Sequence, residues 1–138
     1  MQPSETASAP LRRILLVEDD PDIQLVARMA LEDVGGFEVE LCGSGSEALK
    51  RGPAFRPHLV LLDAMMPDLD GMATLRALRG VPELARVPVV FLTAKAQTTD
   101  IAAYFEAGAL DVIKKPFDPL TLHQTIQEIW ASHAGNSA

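Results

Sequence analysis

Cysteine, aromatic residues, positive charge and long apolar runs are all scarce in this sequence. The single cysteine, Cys42, excludes an internal disulfide, and its place in the apolar segment FEVELC favours a buried packing role. No segment approaches the roughly 20 consecutive apolar residues that a transmembrane helix needs. The net charge is −7 with no extended basic run, which argues against direct binding to nucleic acid. The sequence therefore favours a globular domain that acts on proteins, or on small anions handled through a metal ion.

The length of 138 residues predicts one domain with a substantial core. The start of the chain lacks the basic and apolar regions of a signal peptide, so we expect a cytoplasmic protein. Residues 1–10 and 132–138 are small, polar and without periodicity, and we predict that both segments are flexible. The folded domain is then expected to span residues 11–131.

Short apolar, often β-branched runs alternate with helix-like segments, which is the pattern of a parallel sheet with crossover helices. The predicted strands are Arg13–Val17, Phe37–Leu41, His58–Leu62, Val87–Leu92 and Leu110–Ile113. The predicted helices are Pro21–Val34, Ser44–Arg51, Leu69 or Asp70 to Arg79, Thr98–Ala107 and Pro119–Trp130. The buried stripe of the first helix is predicted to comprise Ile23, Val26, Ala27, Ala30, Leu31 and Val34. The more polar second and fifth strands are expected at the sheet edges.

Polar residues follow four of the predicted strands. Glu18 and Asp19 follow ILLV, Asp63 follows LVLL, Thr93 follows VVFL, and Lys115 comes shortly after DVI. In open parallel sheets, ligands bind outside the carboxyl ends of the strands. We therefore expect one site built from residues that lie far apart in the sequence.

The acidic residues predict a metal site. Carboxylates a few ångströms apart repel one another by about 4 kcal/mol per pair at an effective dielectric near 20, so such a cluster favours a bound cation. Oxygen ligands favour Mg²⁺, whereas the scattered histidines argue against zinc. Capping of the first helix is the preferred interpretation for Asp20 and Asp22. For Glu18 and Asp19, taken alone, both interpretations stay open.

Asp63 favours the metal interpretation, because the next predicted helix begins too far along the chain for Asp63 to cap it. Beside Mg²⁺ it is a candidate acceptor of a phosphoryl group, and the product would be an aspartyl phosphate. The Thr93 hydroxyl and the Lys115 ammonium are candidates to bind phosphate oxygens.

Four motifs, VEDD, LLDAMMPDLDG, VVFLTA and KKPF, occur in this order and spacing. Together they resemble the receiver domain of bacterial two-component response regulators, over about residues 11–131. The resemblance implies a flavodoxin-like, doubly wound (βα)5 fold of the α/β class, with a five-stranded parallel sheet of order 2-1-3-4-5. We expect a stand-alone regulator similar to those of chemotaxis, because no DNA-binding, cyclase or kinase module follows the fifth helix. A receiver fragment of a larger regulator or hybrid kinase is the alternative.

The resemblance also implies the metal ligands. Asp19 and Asp63 would bind Mg²⁺ directly, Met65 through its backbone carbonyl, and Glu18 through a water molecule. Asp63 would be the phosphorylation site. No cofactor other than Mg²⁺ is implied.

Around the phosphate, Thr93 would be the switch hydroxyl and Lys115 the phosphate-binding lysine, with a cis peptide bond between Lys115 and Pro116. A histidine kinase or histidine phosphotransfer protein would donate the phosphoryl group. A downstream protein would then bind the face formed by the fourth helix, fifth strand and fifth helix. Such a domain catalyses only its own phosphorylation and dephosphorylation, so it is not an enzyme acting on another substrate.

The sequence departs from the family pattern at Val112, where many relatives carry Tyr or Phe. Valine has no ring that could swing inward behind Thr93. Tyr104 on the fourth helix is a candidate substitute, and simple surface packing of Tyr104 is the alternative. Met65 and Lys95 occupy positions that the family uses to tune the lifetime of the phosphoryl group.

Three rival interpretations are weaker. A haloacid-dehalogenase-like phosphatase needs a second Asp two residues after the first, where this chain has Met65. A flavodoxin-like FMN binder needs a Ser/Thr/Gly-rich cradle after the first strand, where this chain has EDDPD. A phosphorylation-independent scaffold with the receiver fold would not need the acidic and phosphate-binding groups, all of which are present.

Overall fold

The computed structural model describes residues 10–67 and 69–137, with side chains up to residue 133. In chain order the elements are β1 (Arg13–Val17), α1 (Pro21–Met29, continued by a wider turn over Ala30–Val34), β2 (Glu38–Cys42), α2 (Gly45–Phe55), β3 (Leu59–Asp63), α3 (Gly71–Arg79), β4 (Val89–Thr93), α4 (Thr98–Glu106), β5 (Asp111–Lys114) and α5 (Leu122–Ser137). Of the N-terminal segment predicted to be flexible, only residue 10 lies within the described ranges.

The five strands form one parallel sheet in the order β2-β1-β3-β4-β5. The predicted α/β class, strand order and edge strands are confirmed. None of the helices in the described part of the chain combines the length and the apolarity that a membrane crossing requires.

Alternate residues of each central strand enter two separate cores, one on each face of the sheet. In β1, Ile14 and Leu16 face the core under α1 and α5, whereas Leu15 and Val17 face the core under α2, α3 and α4. Cys42 is buried in the second core, as predicted, and burial raises the pKa of its thiol to about 11. Covering helices on both faces explain why β3 and β4 read as continuous apolar runs.

Each of the last four strands ends one residue later than predicted. Backbone pairing continues past the apolar run, because it does not depend on the polarity of the side chain: Asp63 pairs with Leu92, and Thr93 pairs with Lys114. Asp63 and Thr93 are therefore the last residues of their strands rather than the first residues of loops. Their backbones are fixed by the sheet.

Two predicted helices had wrong bounds. α2 continues past Arg51 to Phe55, because Gly52 packs against the core. Pro53 lies near the end of the helix, where its missing N–H removes only one backbone hydrogen bond. α5 begins at Leu122 after a turn in which Asp118 accepts a hydrogen bond from Leu120, and it continues beyond Trp130 to Ser137. Most of segment 132–138 is thus helical, while its predicted flexibility stays a prediction.

The predicted buried stripe of α1 was too wide. Ala27, Ala30 and Leu31 are buried, but Val26 and Val34 are 40% and 44% exposed. After Met29 the helix widens to i→i+5 hydrogen bonds, including Gly35 to Ala30. The wider turn rotates Val34 away from the core face.

Candidate functional site

The sheet register brings the predicted site residues together at one end of the sheet. Val17 is opposite Leu62, so Glu18 follows β1 beside Asp63, the last residue of β3. Thr93 ends the neighbouring strand β4. The Lys115 backbone N–H donates to the Thr93 carbonyl at 2.9 Å, which fixes the start of the loop after β5.

The three carboxylates predicted from the sequence form one cluster. Glu18, Asp19 and Asp63 each place a carboxylate oxygen within 4.8 Å of the others, and Glu18 and Asp63 are buried. Burial raises the pKa of Glu18 to about 7, and the nearby Asp63 charge adds to this rise, while the Lys115 ammonium opposes it. Buried carboxylates at such separations leave a strong negative potential.

Lys115 is the positive partner of this cluster. Its ammonium nitrogen lies 2.7 Å from Glu18 Oε1 and 3.5 Å from Asp63 Oδ2. The Lys115 side chain is 13% exposed, so water screens the pair only weakly. One ammonium faces two buried carboxylates, and the cluster keeps an excess of negative charge. The peptide bond between Lys115 and Pro116 is cis, as the resemblance implied.

The charge and geometry of the cluster fit a divalent cation bound by oxygen ligands. Three carboxylate oxygens converge, and no histidine or cysteine joins the cluster among the described residues. Mg²⁺ prefers this kind of donor set and completes its coordination with water. Asp20, which also borders the pocket, caps α1 as predicted, because its Oδ1 accepts from the N–H groups of Asp22 and Ile23.

The loop after β3 orients Asp63. The Met65 N–H donates to Asp63 Oδ1 at 3.0 Å, while the Met65 side chain is 56% exposed at the rim of the acidic pocket. Gly71, at the start of α3, packs against this loop: a Cβ atom there would lie 2.6 Å from the Asp63 carbonyl oxygen and 2.5 Å from Ala64 Cα. Only glycine allows this approach of α3 to the end of β3.

Thr93 is fully buried, and its hydroxyl oxygen accepts a hydrogen bond from the Lys95 N–H at 3.0 Å. The Lys95 side chain points outward, with 59% of it exposed, and its ammonium lies 3.9 Å from Asp100. Lys95 lines a cavity next to the acidic pocket rather than the acidic pocket itself.

Val112 and Tyr104 lie in the same core. Val112 is partly buried and packs against the core under α2, α3 and α4. Tyr104 is 5% exposed and belongs to that core, so the alternative of surface packing for Tyr104 was wrong. Its aromatic ring packs inward from α4 because the preceding strand β4 presents Phe91, whose ring centroid lies 4.8 Å away.

Gln24 supports the site, although no motif or spacing predicted it. Its side-chain amide donates to the Glu18 carbonyl at 2.6 Å, and the Asp20 N–H donates to Glu18 Oε2 at 3.1 Å. These bonds hold Glu18 in its buried position. A glutamine on a helix has no distinctive spacing, so only the tertiary packing of α1 on the sheet identifies it.

Comparisons with known proteins agree on one family. The family model described as the response regulator receiver domain matches residues 14–127. The DNA-binding response regulator MtrA of Mycolicibacterium smegmatis is 41% identical over 111 residues, which cover 80% of this chain and 47% of MtrA. The response regulator Rre1 of Synechocystis is 36% identical over 124 residues, covering 90% of this chain and 54% of Rre1. The chain thus spans about half the length of the curated relatives it matches.

Solved structures show the same fold. The chemotaxis protein CheY4 of Vibrio cholerae has a TM-score of 0.80 and 28% identity, and the match covers 87% of this chain and 99% of CheY4. The receiver domain of the sensor histidine kinase PA1611 from Pseudomonas aeruginosa has a TM-score of 0.76 and 32% identity over 91% of this chain and 99% of that one. That receiver domain has a magnesium ion coordinated in its active-site cleft.

Proposed function

The chain belongs to the response regulator receiver domain family, and we propose that it accepts a phosphoryl group on Asp63 in a Mg²⁺-dependent reaction. The observation that carries this proposal is the convergence of Glu18, Asp19, Asp63 and Lys115 at one end of the sheet. Asp19, Asp63 and the Met65 backbone carbonyl would hold the metal directly, and Glu18 through water. A bound Mg²⁺ supplies positive charge that offsets the carboxylates and the incoming phosphoryl oxygens.

The proposed donor is the phosphohistidine of a histidine kinase or phosphotransfer protein. An Asp63 carboxylate oxygen attacks the phosphorus, the P–O bond forms as the P–N bond breaks, and the histidine nitrogen keeps the electron pair and takes up a proton. The Met65 N–H orients the Asp63 carboxylate for this attack. Lys115 and Thr93 would bind phosphoryl oxygens, which requires the Lys115 ammonium to exchange part of its contact with Glu18 for the phosphate.

The surface beside the acidic pocket supports a protein donor. An apolar cavity of about 410 Å³ borders Lys115 and is lined by Ile23, Val26, Pro116 and Phe117. On α1, Leu25 and Met29 are 63% and 51% exposed. Exposed apolar side chains next to a charged site are typical of a surface that binds another protein. We propose that the donor protein docks on this surface.

We further propose a cytoplasmic, single-domain regulator that acts on another protein, without catalysis on other substrates and without direct contact to nucleic acid. The net charge of −7 disfavours nucleic acid as the partner. The downstream protein would bind the face of α4, β5 and α5, which changes conformation on phosphorylation.

The direct experiment incubates the protein with acetyl phosphate, with and without Mg²⁺, and measures its intact mass. We expect one added phosphate only with Mg²⁺, and none on Asp63→Asn. Equal modification of the wild type and Asp63→Asn would contradict the assignment, as would no modification of either. Asp33→Asn is the matched control, because Asp33 lies on the wider turn after α1, outside the acidic cluster, and should leave the yield unchanged.

A second experiment separates this function from that of a phosphorylation-independent scaffold. Proteins captured on the immobilised chain are compared with and without Mg²⁺ and beryllofluoride, which mimics a phosphoryl group. The proposal predicts partners that bind in only one of the two states. Identical partners in both states would favour the scaffold.

A further inference from the structure

The backbone of one residue, Lys95, links Thr93 to Tyr104. The Lys95 N–H donates to the Thr93 hydroxyl oxygen at 3.0 Å, and the Lys95 carbonyl accepts from the Tyr104 hydroxyl at 2.8 Å. The two bonds place a single residue of the loop after β4 between a buried hydroxyl of the site and a buried hydroxyl on α4. A movement of the Thr93 hydroxyl therefore has a direct route to α4.

The position of Tyr104 makes this link specific. Phe91 and Thr93 lie on the same face of β4, and the Tyr104 ring packs against Phe91 with a centroid distance of 4.8 Å. This packing brings the Tyr104 hydroxyl to the level of Thr93. Burial raises the pKa of Tyr104, and the nearby Thr93 side chain opposes the rise. The two hydroxyl groups thus lie in one connected polar environment inside an apolar core.

The surroundings leave room for a second arrangement. A cavity of about 500 Å³ lies between α4 and the loop after β3, and its lining includes Met66, Met72, Lys95 and Tyr104. Both methionine side chains are flexible and adapt to a displaced ring. Among the described residues, the Lys95 side chain makes one further contact, a distant one between its ammonium and Asp100. The loop is therefore free to follow a change at Thr93.

We propose that Tyr104 is a positioning residue that reports the phosphorylation state of Asp63 to α4 through Lys95. When the Thr93 hydroxyl turns to donate to a phosphoryl oxygen, its bond with the Lys95 N–H weakens, the Lys95 peptide shifts, and the Tyr104 hydroxyl changes its partner. α4 then moves with the tyrosine. This inference rests on the proposed phosphorylation of Asp63 and adds the residue that transmits it.

Tyr104 is the only tyrosine of the chain, so fluorotyrosine labels it alone. A ¹⁹F NMR spectrum of the labelled protein with Mg²⁺ and beryllofluoride reports two events at once. Bound beryllofluoride has its own resonances, which show whether the site is occupied, and the tyrosine resonance shows whether Tyr104 responds. We expect bound beryllofluoride together with a displaced tyrosine resonance.

The variant Thr93→Val tests whether the response of Tyr104 depends on the Thr93 hydroxyl. Thr93→Val removes the hydroxyl but keeps the shape. Weaker binding is compensated by raising the beryllofluoride concentration until the bound resonances show full occupancy, and at equal occupancy the tyrosine resonance should move less than in the wild type. A tyrosine resonance that moves equally in the wild type and Thr93→Val would overturn the route through Thr93. Bound beryllofluoride with an unmoved wild-type tyrosine resonance would overturn the inference and leave the proposed function intact. No binding of beryllofluoride to the wild type would overturn both.

Tyr104→Phe tests the same link from the other side. Loss of this one buried hydrogen bond should change the balance between the two arrangements of α4 about fivefold, measured by the response of the α4 backbone amides to beryllofluoride. Phe105→Leu is the matched control, because Phe105 is the next residue on α4 and is 46% exposed. A full amide response in Tyr104→Phe, equal to that of Phe105→Leu, would contradict the role of the hydroxyl.

Discussion

The two ends of the sheet differ in what their polar side chains bind. At the carboxyl ends of the strands, Glu18 and Asp63 are buried together with the Lys115 ammonium as their common partner. At the amino ends, Arg13 Nε donates to the carbonyls of Phe55 and Arg56, and His58 Nδ1 accepts from the N–H groups of Arg12 and Arg13. The carboxyl ends bring like charges together, whereas at the amino ends side chains form hydrogen bonds with backbone groups.

This difference indicates that one end serves binding and the other serves stability. Crowded carboxylates reduce stability unless a cation binds, so their burial fits the proposed binding of Mg²⁺. Side chains that bond to loop backbone at the amino ends stabilise the connections between elements. Changes at the two ends should therefore affect binding and stability in different proportions.

The largest effect is expected from Lys115→Met. The substitution leaves two buried carboxylates without their ammonium, and we expect a loss of about 3 kcal/mol in the free energy of unfolding without Mg²⁺. Denaturant unfolding measures this loss, and added Mg²⁺ should restore part of it. Lys114→Met is the control, because Lys114 is exposed and its loss should cost less than about 0.5 kcal/mol. Equal losses in the two variants would contradict the role of the Lys115 ion pair.

A smaller effect is expected from Gly71→Ala, which changes no charge. The added Cβ would meet Ala64 Cα at 2.5 Å, so we expect a loss of about 2 kcal/mol. Because the same loop orients Asp63, the rate of phosphorylation should fall as well. In Gly80→Ala the nearest contact of the added Cβ is 3.4 Å, and neither quantity should change appreciably. An unchanged phosphorylation rate in Gly71→Ala would show that the loop tolerates the shift.

At the amino ends, His58 predicts a dependence of stability on pH. Burial lowers the pKa of His58 from 6.5, and the charges of Arg13 and Arg12 lower it further. The unfolded chain therefore takes up the proton on His58 first as the pH falls, and the contribution of His58 to stability is lost below about pH 6.5. Glu18, whose pKa is raised, acts in the opposite direction, so the effect of His58 is the difference between the profiles of the wild type and His58→Gln. In His58→Gln this pH dependence should weaken, with a loss of about 1 kcal/mol at neutral pH from the missing hydrogen bonds. Unfolding curves between pH 5 and 8 test this, and identical pH profiles for the wild type and His58→Gln would contradict it.

The smallest effect on stability is expected from Asp63→Asn. Without Mg²⁺ the substitution removes one of the crowded charges and keeps an oxygen that can accept from the Met65 N–H. We expect stability equal to the wild type or higher by up to about 1 kcal/mol, and a smaller stabilisation by Mg²⁺. Thermal unfolding with and without Mg²⁺ measures both. A clearly destabilised Asp63→Asn would mean that the two ends of the sheet do not differ as described.

Much of the fold was predictable because parallel strands covered on both faces leave continuous apolar runs in the sequence. The positions of Glu18, Asp63 and Thr93 at strand ends followed from those runs, and their proximity followed from the topology. The later ends of the strands were not predictable, because backbone pairing leaves no trace in side-chain polarity. The wider turn after Met29 was missed for a similar reason, since its residues fit an ordinary helix.

The supporting contacts of the site were less accessible from the sequence. Gln24 reaches the Glu18 carbonyl only because α1 packs on the sheet, and Tyr104 reaches Lys95 only because α4 packs on Phe91. Each contact depends on the relative placement of two elements. Sequence periodicity indicates that an element packs against the core, but not which backbone group a given side chain meets.

Locating the phosphoryl group along the chain distinguishes Asp63 from the other aspartates. After incubation with acetyl phosphate and Mg²⁺, borohydride reduces an aspartyl phosphate to homoserine with release of phosphate, and peptide fragmentation locates the changed residue. We expect homoserine at position 63 alone. Homoserine in place of Asp19 or another aspartate, or none in a protein whose mass had risen by one phosphate, would contradict it.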